Sequence, residues 1–250
     1  MQSKYLMFLG AGLLSVSSMA VAEDAGNGFD VSGNVAFTTD YRFRGISQTD
    51  KDFALQGGFD IAHESGLYVG TWASNIDNFN AGPTDSGSQA EVDIYAGYGQ
   101  EVAPGLALDF NVLYFYYPGA STQGNPEIDF VEFTPGISYE NEAFSSSFSV
   151  SYSPDYFAES GDSFYYNLNG GVPISDSGVS LDLHAGYQAI DDNAAFGTRD
   201  YYDWSLGFST SFFKLDWAVA YVDTNLDNND CFGGSDLCED TFVFTVAKSL

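Results

Sequence analysis

Between Phe29 and Phe43 the chain alternates. Odd positions carry Phe29, Val31, Gly33, Val35, Phe37, Thr39, Tyr41 and Phe43, and even positions carry Asp30, Ser32, Asn34, Ala36, Thr38, Asp40 and Arg42. Successive side chains of a strand point to opposite faces, so this period of two builds one apolar face and one polar face. A helix would scatter the same apolar residues around its circumference. The stretch FSSSFSVSYS repeats the pattern, with Phe144, Phe148, Val150 and Tyr152 on one face and only serine on the other. Twelve such segments can be read, at 29–44, 53–62, 67–76, 90–100, 106–117, 127–139, 143–153, 163–174, 179–189, 201–211, 215–223 and 241–250.

Most of these segments are near the ~9–11 residues a tilted strand needs to cross a bilayer. The connections between them alternate in length. Tight turns fall at 63–66, 101–105, 140–142, 175–178 and near Lys214, and longer polar loops at 46–52, 77–89, 118–126, 155–162, 190–200 and 224–240. Short periplasmic turns alternating with long outer loops are the signature of an outer-membrane barrel, and an even strand number returns both termini to the periplasmic side. A soluble β-sandwich alternates along its strands too, but does not require every second connection to be long. Aromatic residues make up 17% of the chain, and many cluster at strand ends: Tyr41 and Phe43, Tyr114 and Tyr116, Tyr139, Tyr152, Tyr202 and Trp204, Trp217 and Tyr221. Amphipathic rings favour the membrane–water boundary, so these read as two girdles. The expected fold is all-β, a transmembrane antiparallel up-and-down β-barrel of about twelve strands, and closure would leave no unpaired backbone in lipid.

The N-terminus fits that destination. Lys4, an apolar run from Tyr5 to Val16, and small residues ending in Ala20-Val21-Ala22 have the three parts of a cleavable export signal. Residues 1–22 are therefore expected to be removed, leaving 23–250 as one barrel domain in the outer membrane of a Gram-negative envelope. Loss of Lys4 leaves six Lys+Arg against 35 Asp+Glu, a formal charge of 6 − 35 = −29. So acidic a chain repels nucleic acid and anionic surfaces, which excludes binding them by charge. The expected partners are outer-membrane lipid and lipopolysaccharide, with periplasmic chaperones and the barrel-assembly machinery during insertion. Cys231 and Cys238, in an Asp/Asn/Gly-rich stretch, read as a disulfide closing one outer loop. The last segment, TFVFTVAKSL, has the alternation of the terminal strand by which such barrels are recognised for insertion, although it ends in Leu250 where Phe is usual.

The blocks DYRFRGISQTD, LQGGFDIAHESGLYVGTWASNI, EVDIYAGYG and VLYFYYPG, with AYVDTN and the final VAKSL, resemble the TorF family of porin-type proteins. The likeness covers nearly the whole chain after the leader, and YRFRGISQ is its most specific block. It implies an outer-membrane barrel that acts as a pore. It brings neither a substrate nor catalytic residues.

Placing the apolar face toward lipid fixes the lumenal set: Asp40, Arg42, Arg44, Asp60, Glu91, Asp93, Asp109, Glu132, Asp182, His184 and Asp203. Eight carboxylates face two guanidiniums. Arg42 and Arg44, at the outer end of the first strand, are expected to meet Glu91, Asp93 and Asp203, either bracing the wall or forming a constriction whose field screens solutes. Twelve strands imply a bore between the filled eight-stranded barrels and the open porins. The leading reading is passive diffusion of small solutes through a narrow, cation-preferring channel, the solute itself unnamed. The alternative is a structural or interaction barrel with a plugged lumen and acidic outer loops. A hydrolase ranks below both. His184 sits near Asp182, but no G-x-S-x-G elbow places a nucleophile, so no catalytic residue is expected. Asp223, Asn225 and Asp227 begin like a calcium loop but lack its Gly and Glu. Neither a metal site nor a cofactor is expected.

Overall fold

The computed structural model describes residues 23–77, 87–120 and 127–250. The expected leader, residues 1–22, and the middle portions of the second and third outer loops lie outside the described residues.

The alternating segments form twelve barrel strands: β1 Phe29–Thr38, β2 Ala54–His63, β3 Leu67–Asn75, β4 Ala90–Ala103, β5 Leu106–Tyr116, β6 Phe130–Glu140, β7 Ser145–Ser153, β8 Ser163–Pro173, β9 Val179–Ile190, β10 Tyr201–Phe212, β11 Leu215–Thr224 and β12 Thr241–Ser249. Each pairs antiparallel with its sequence neighbours. Closure comes from β12 on β1, with Thr245 opposite Thr38 and Ser249 opposite Asn34. A short strand, Glu23–Gly26, pairs with the start of β1. The chain is thus a closed twelve-stranded antiparallel barrel, and its backbone hydrogen bonds are satisfied between strands, as a lipid environment demands. No helix among the described residues is long and apolar enough to cross a membrane.

The period of two decides what faces where. Phe37, Phe59, Phe110, Phe148, Leu168 and Phe244 point outward and are exposed, as a lipid-facing band would be. Rings collect at both ends of that band. Tyr187 packs on Tyr202 at 4.6 Å and Trp204 on Tyr221 at 5.3 Å toward the outer end, and Tyr139 meets Phe144 at 5.7 Å at the inner end.

The hydrophobic core lies inside the outer half of the lumen. Tyr41, Ile46, Phe115, Phe130, Tyr156 and Phe196 form one buried cluster drawn from the first, fourth and fifth outer loops and from the wall. Phe115 stacks on Phe130 at 4.2 Å, and Tyr156 meets Phe130 edge-on at 4.7 Å. Nearer the inner end, Ser147, Asn167, Asn169, Asp182 and His184 on β7, β8 and β9 face the lumen and stay partly solvent-accessible.

The first strand is shorter than its alternation predicts. It ends at Thr38, and the segment beyond it leaves the wall, with residues 40–49 folded into the lumen. Two hydrogen bonds pin the exit: the Thr39 amide donates to the Phe244 carbonyl at 3.0 Å, and the Phe244 amide donates to Thr39 Oγ1 at 3.0 Å. Tyr41 and Phe43 are therefore not girdle residues. Tyr41 is buried against Trp72, and Phe43 packs on Phe115. The alternation persists past Thr38 because a hairpin also alternates, which is why sequence alone reads 29–44 as one strand.

Candidate functional site: an arginine hairpin in the lumen

The inward loop is a small hairpin in which Arg42–Phe43 pairs with Ile46–Ser47. Its tip is Arg44-Gly45, with φ of 50° and 81°. A tight hairpin turn of this kind needs positive φ at both central positions, which glycine adopts freely and arginine at a cost. Gly45 is also required by space. A Cβ there would stand 2.5 Å from Thr224 Cγ2 and 2.9 Å from Asp203 Cβ, so the tip abuts β10 and β11.

The two arginines diverge. Arg42 is 1% exposed and serves the outer loops. Its Nε donates to Asp40 Oδ2 at 2.6 Å, and Nη1 donates to the carbonyls of Gly45 (2.9 Å), Leu237 (3.0 Å) and Glu239 (2.9 Å). Asp40 is held in turn by Ser47 Oγ at 2.6 Å. Nη2 of Arg42 is buried without a hydrogen-bond partner among the described residues.

Arg44 reaches across the lumen. Its Nη2 lies between both oxygens of Glu132, at 2.6 and 2.7 Å, and Nη1 donates to Gln188 Oε1 at 2.6 Å and to the Tyr156 hydroxyl at 3.4 Å. The guanidinium stands 4.1 Å from the centre of the Tyr165 ring and 4.6 Å from that of Phe43. Glu132 and Gln188 are 1% and 0% exposed. Water is thus excluded from the ion pair, and Coulomb attraction is strengthened accordingly.

The structure corrects the expected partnering. Arg42 and Arg44 do not sit on the wall, and neither pairs with Glu91, Asp93 or Asp203. Glu91 instead accepts the hydroxyls of Tyr41 at 2.6 Å and Tyr117 at 2.9 Å. Asp93, two residues along β4 on the same face, is buried, and its Oδ1 has no hydrogen-bond partner among the described residues. Asp203 accepts from His184 Nε2 at 2.6 Å and from the Tyr165 hydroxyl at 3.1 Å. The other His184 ring nitrogen, Nδ1, lies 2.9 Å from Asn169 Oδ1. Asp60 accepts from Tyr95, Asp109 from Tyr68 at 3.0 Å, and Asp182 Oδ2 is buried and unpartnered among the described residues.

Four of the eight predicted lumenal carboxylates, Asp60, Glu91, Asp109 and Asp203, accept from tyrosines, which the sequence reading overlooked. The signal was available: Tyr95 shares its face with Glu91 and Asp93, and Tyr201 shares its face with Asp203. Gln188 gives no such signal, because a neutral amide in a strand implies no partner.

The outer end is tied across loops. Lys51 Nζ bonds Asp236 at 2.7 Å and Glu239 at 3.0 Å. The Lys51 hydrogen bond holds the Asp236 carboxyl below its ordinary value, and bonds from Asn228 and then Lys51 do the same for Glu239. Cys231 and Cys238 are joined by a disulfide with Cα atoms 6.0 Å apart, in the loop whose Leu237 and Glu239 carbonyls hold Arg42. No group of three or more His, Cys, Asp or Glu among the described residues is arranged to hold a metal.

A closed antiparallel barrel with an apolar exterior, aromatic ends and a polar, tyrosine-rich interior defines the class of outer-membrane β-barrels. Solved structures agree on the fold. The NanC porin is 8% identical, with a TM-score of 0.55, over 88% of this chain and 100% of that one. The KdgM porin, solved in complex with disordered oligogalacturonate, is 4% identical, with a TM-score of 0.55, over 88% and 96%. An outer membrane channel from Pseudomonas putida F1 is 13% identical, with a TM-score of 0.50, over 88% and 94%. No curated protein matches the chain. The model of the Gcw_chp family, described as a bacterial protein of unknown function, matches residues 22–250, and the chain belongs to that family.

Proposed function

We propose that this protein is a porin-like channel of the Gram-negative outer membrane, of the TorF type, narrow and cation-preferring. The observation that carries this reading is the charge of the lumenal wall. Of the eight carboxylates predicted to face the lumen, Asp40, Glu132 and Asp203 have basic partners, leaving five without an ion pair among the described residues. Asp60, Glu91 and Asp109 are held by neutral tyrosine hydroxyls, and neither they nor Asp93 and Asp182 have an ion pair among the described residues, so no fixed cation cancels the negative charge of the wall. Rings of carboxylates favour cations over anions. The leader 1–22 is removed on export in this reading, and assembly proceeds through periplasmic chaperones and the insertion machinery into a lipopolysaccharide-bearing membrane. The protein works as a passage and not as an enzyme.

A second reading, the plugged structural barrel, is favoured by the burial of the hairpin itself. Conductance in planar bilayers separates the two. Wild type is expected to show small or infrequent conductance, and replacement of residues 40–50 by a short Gly/Ser linker should raise it several-fold. A folded, heat-modifiable wild-type barrel that passes no current, even where the linker variant conducts, would leave the plugged barrel.

A further inference from the structure

Apart from the Phe43 ring, the groups that hold Arg44 lie outside the hairpin and stay in place when it is subtracted. Glu132 belongs to β6, Tyr165 to β8, Gln188 to β9 and Tyr156 to the fourth outer loop. None is part of the hairpin. Gln188 is pre-set, because its Nε2 donates to Ser163 Oγ at 2.6 Å and turns Oε1 toward the guanidinium. The recess therefore offers a carboxylate whose two oxygens meet one guanidinium nitrogen, an amide oxygen that meets another, and an aromatic face 4.1 Å from the guanidinium centre. That combination suits a guanidinium better than an ammonium, which cannot donate in one plane and stack at once.

We propose that this recess is a binding site for small guanidinium-bearing solutes, and that Arg44 is its tethered occupant. The proposal deepens the channel reading, on which it rests for the passage of such solutes. The hairpin strands pair only with each other and not with the barrel wall. The loop is held mainly by side chains, by the Ser47 amide on the Leu237 carbonyl at 3.0 Å and by the Asp77 amide on the Gln48 carbonyl at 2.9 Å. Arg44 also has a backbone conformation unfavourable to a residue with a Cβ. When the hairpin withdraws, Glu132 is left as a buried, uncompensated carboxylate, which a guanidinium from solution neutralises. Because a tethered group has a high effective concentration, free solutes compete with Arg44 at millimolar levels and not at trace levels.

The test is chemical rescue. Arg44→Ala barrel in detergent micelles is heated with millimolar ethylguanidinium chloride or with ethylammonium chloride at the same concentration. Ethylguanidinium should raise the unfolding midpoint by several degrees and ethylammonium should not, and Arg44→Ala with Glu132→Gln should abolish the difference. In case Arg44→Ala fails to assemble, uptake by wild-type proteoliposomes gives a second arm, in which ethylguanidinium should enter several-fold faster than ethylammonium. Equal midpoint shifts by the two cations, or none, would overturn the site, as would equal uptake in the second arm. Rescue of Arg44→Ala in a barrel that passes no ions in any form upholds the site while the channel reading falls.

Discussion

Arg42 and Arg44 are two residues apart, share an identical charge and bind entirely different surroundings. Arg42 gathers the hairpin and the sixth outer loop through three carbonyls, whereas Arg44 bonds the far wall through Glu132 and Gln188. Removing one partner of a buried pair leaves an uncompensated charge, so Glu132→Ala should cost about 3–5 kcal/mol of unfolding free energy. Arg44→Ala with Glu132→Ala together should cost less than the sum of the single changes, a coupling that a double-mutant cycle in denaturant reads directly. Gly45 is constrained by conformation and by space alike. Gly45→Ala should destabilise by roughly 1–3 kcal/mol through overpacking against Thr224 and Asp203. An unchanged unfolding midpoint would mean that the tip has room to shift.

The hairpin and the sixth outer loop act as a joined pair of elements. The disulfide closes a loop of short sequence separation, 7 residues, so it constrains little of the unfolded chain and should contribute at most ~2–3 kcal/mol. Cys231→Ser with Cys238→Ser should therefore leave the barrel assembled. The structure adds a consequence, since loosening this loop also loosens the carbonyls that grip Arg42, so the reduced or double-serine protein should open more often in bilayer recordings. Acid should act on the same contact. Asp236 and Glu239 have carboxyls lowered from 3.8 and 4.5 by their hydrogen bonds. A depressed folded value means their stabilising contribution is present above those ordinary values and is lost as pH falls through the lower folded ones. Open probability should accordingly rise as the outer solution is taken below about pH 4, and Lys51→Met should remove that dependence. Both carboxylates are exposed, so salt should weaken the contact as well.

At the scale of the whole molecule, charge is distributed by depth. The outer half of the lumen combines an apolar cluster with two buried guanidinium–carboxylate pairs, and the inner side of β7 to β9 presents partly hydrated serine, asparagine and histidine. Arg42→Ala with Arg44→Ala removes both guanidiniums and loosens the plug at once. Reversal potential in a salt gradient should then move further toward the cation value, with higher conductance. Selectivity that stays constant while conductance rises would mean the arginines hold the hairpin and do not screen ions. Fractionation checks the frame for all of this: the mature chain should be found in outer-membrane fractions and migrate heat-modifiably in detergent gels.

The barrel was legible because its cause is local. Side chains alternate along any strand, so Phe144, Phe148, Val150 and Tyr152 announce a lipid face without knowledge of their neighbours, and the loop lengths alternate along with the strands. The same locality explains where the reading stopped. Nothing between Thr38 and Tyr41 distinguishes a strand that continues up the wall from one that leaves it. The departure is decided by contacts far along the chain: Phe244 pinning Thr39, Leu237 and Glu239 accepting from Arg42, and Glu132 and Gln188 accepting from Arg44. Thus the sequence by itself determined the number of barrel strands and the face each presents to lipid, and it placed charges such as Glu91 and Glu132 inside, although Asp216, also buried on the inward face of β11, was missed. Which of those charges meet, and that two of them arrive on a loop instead of the wall, was decided only by closure of the barrel, because a partner 88 or 144 residues away comes within hydrogen-bonding reach only once the intervening strands have curled round.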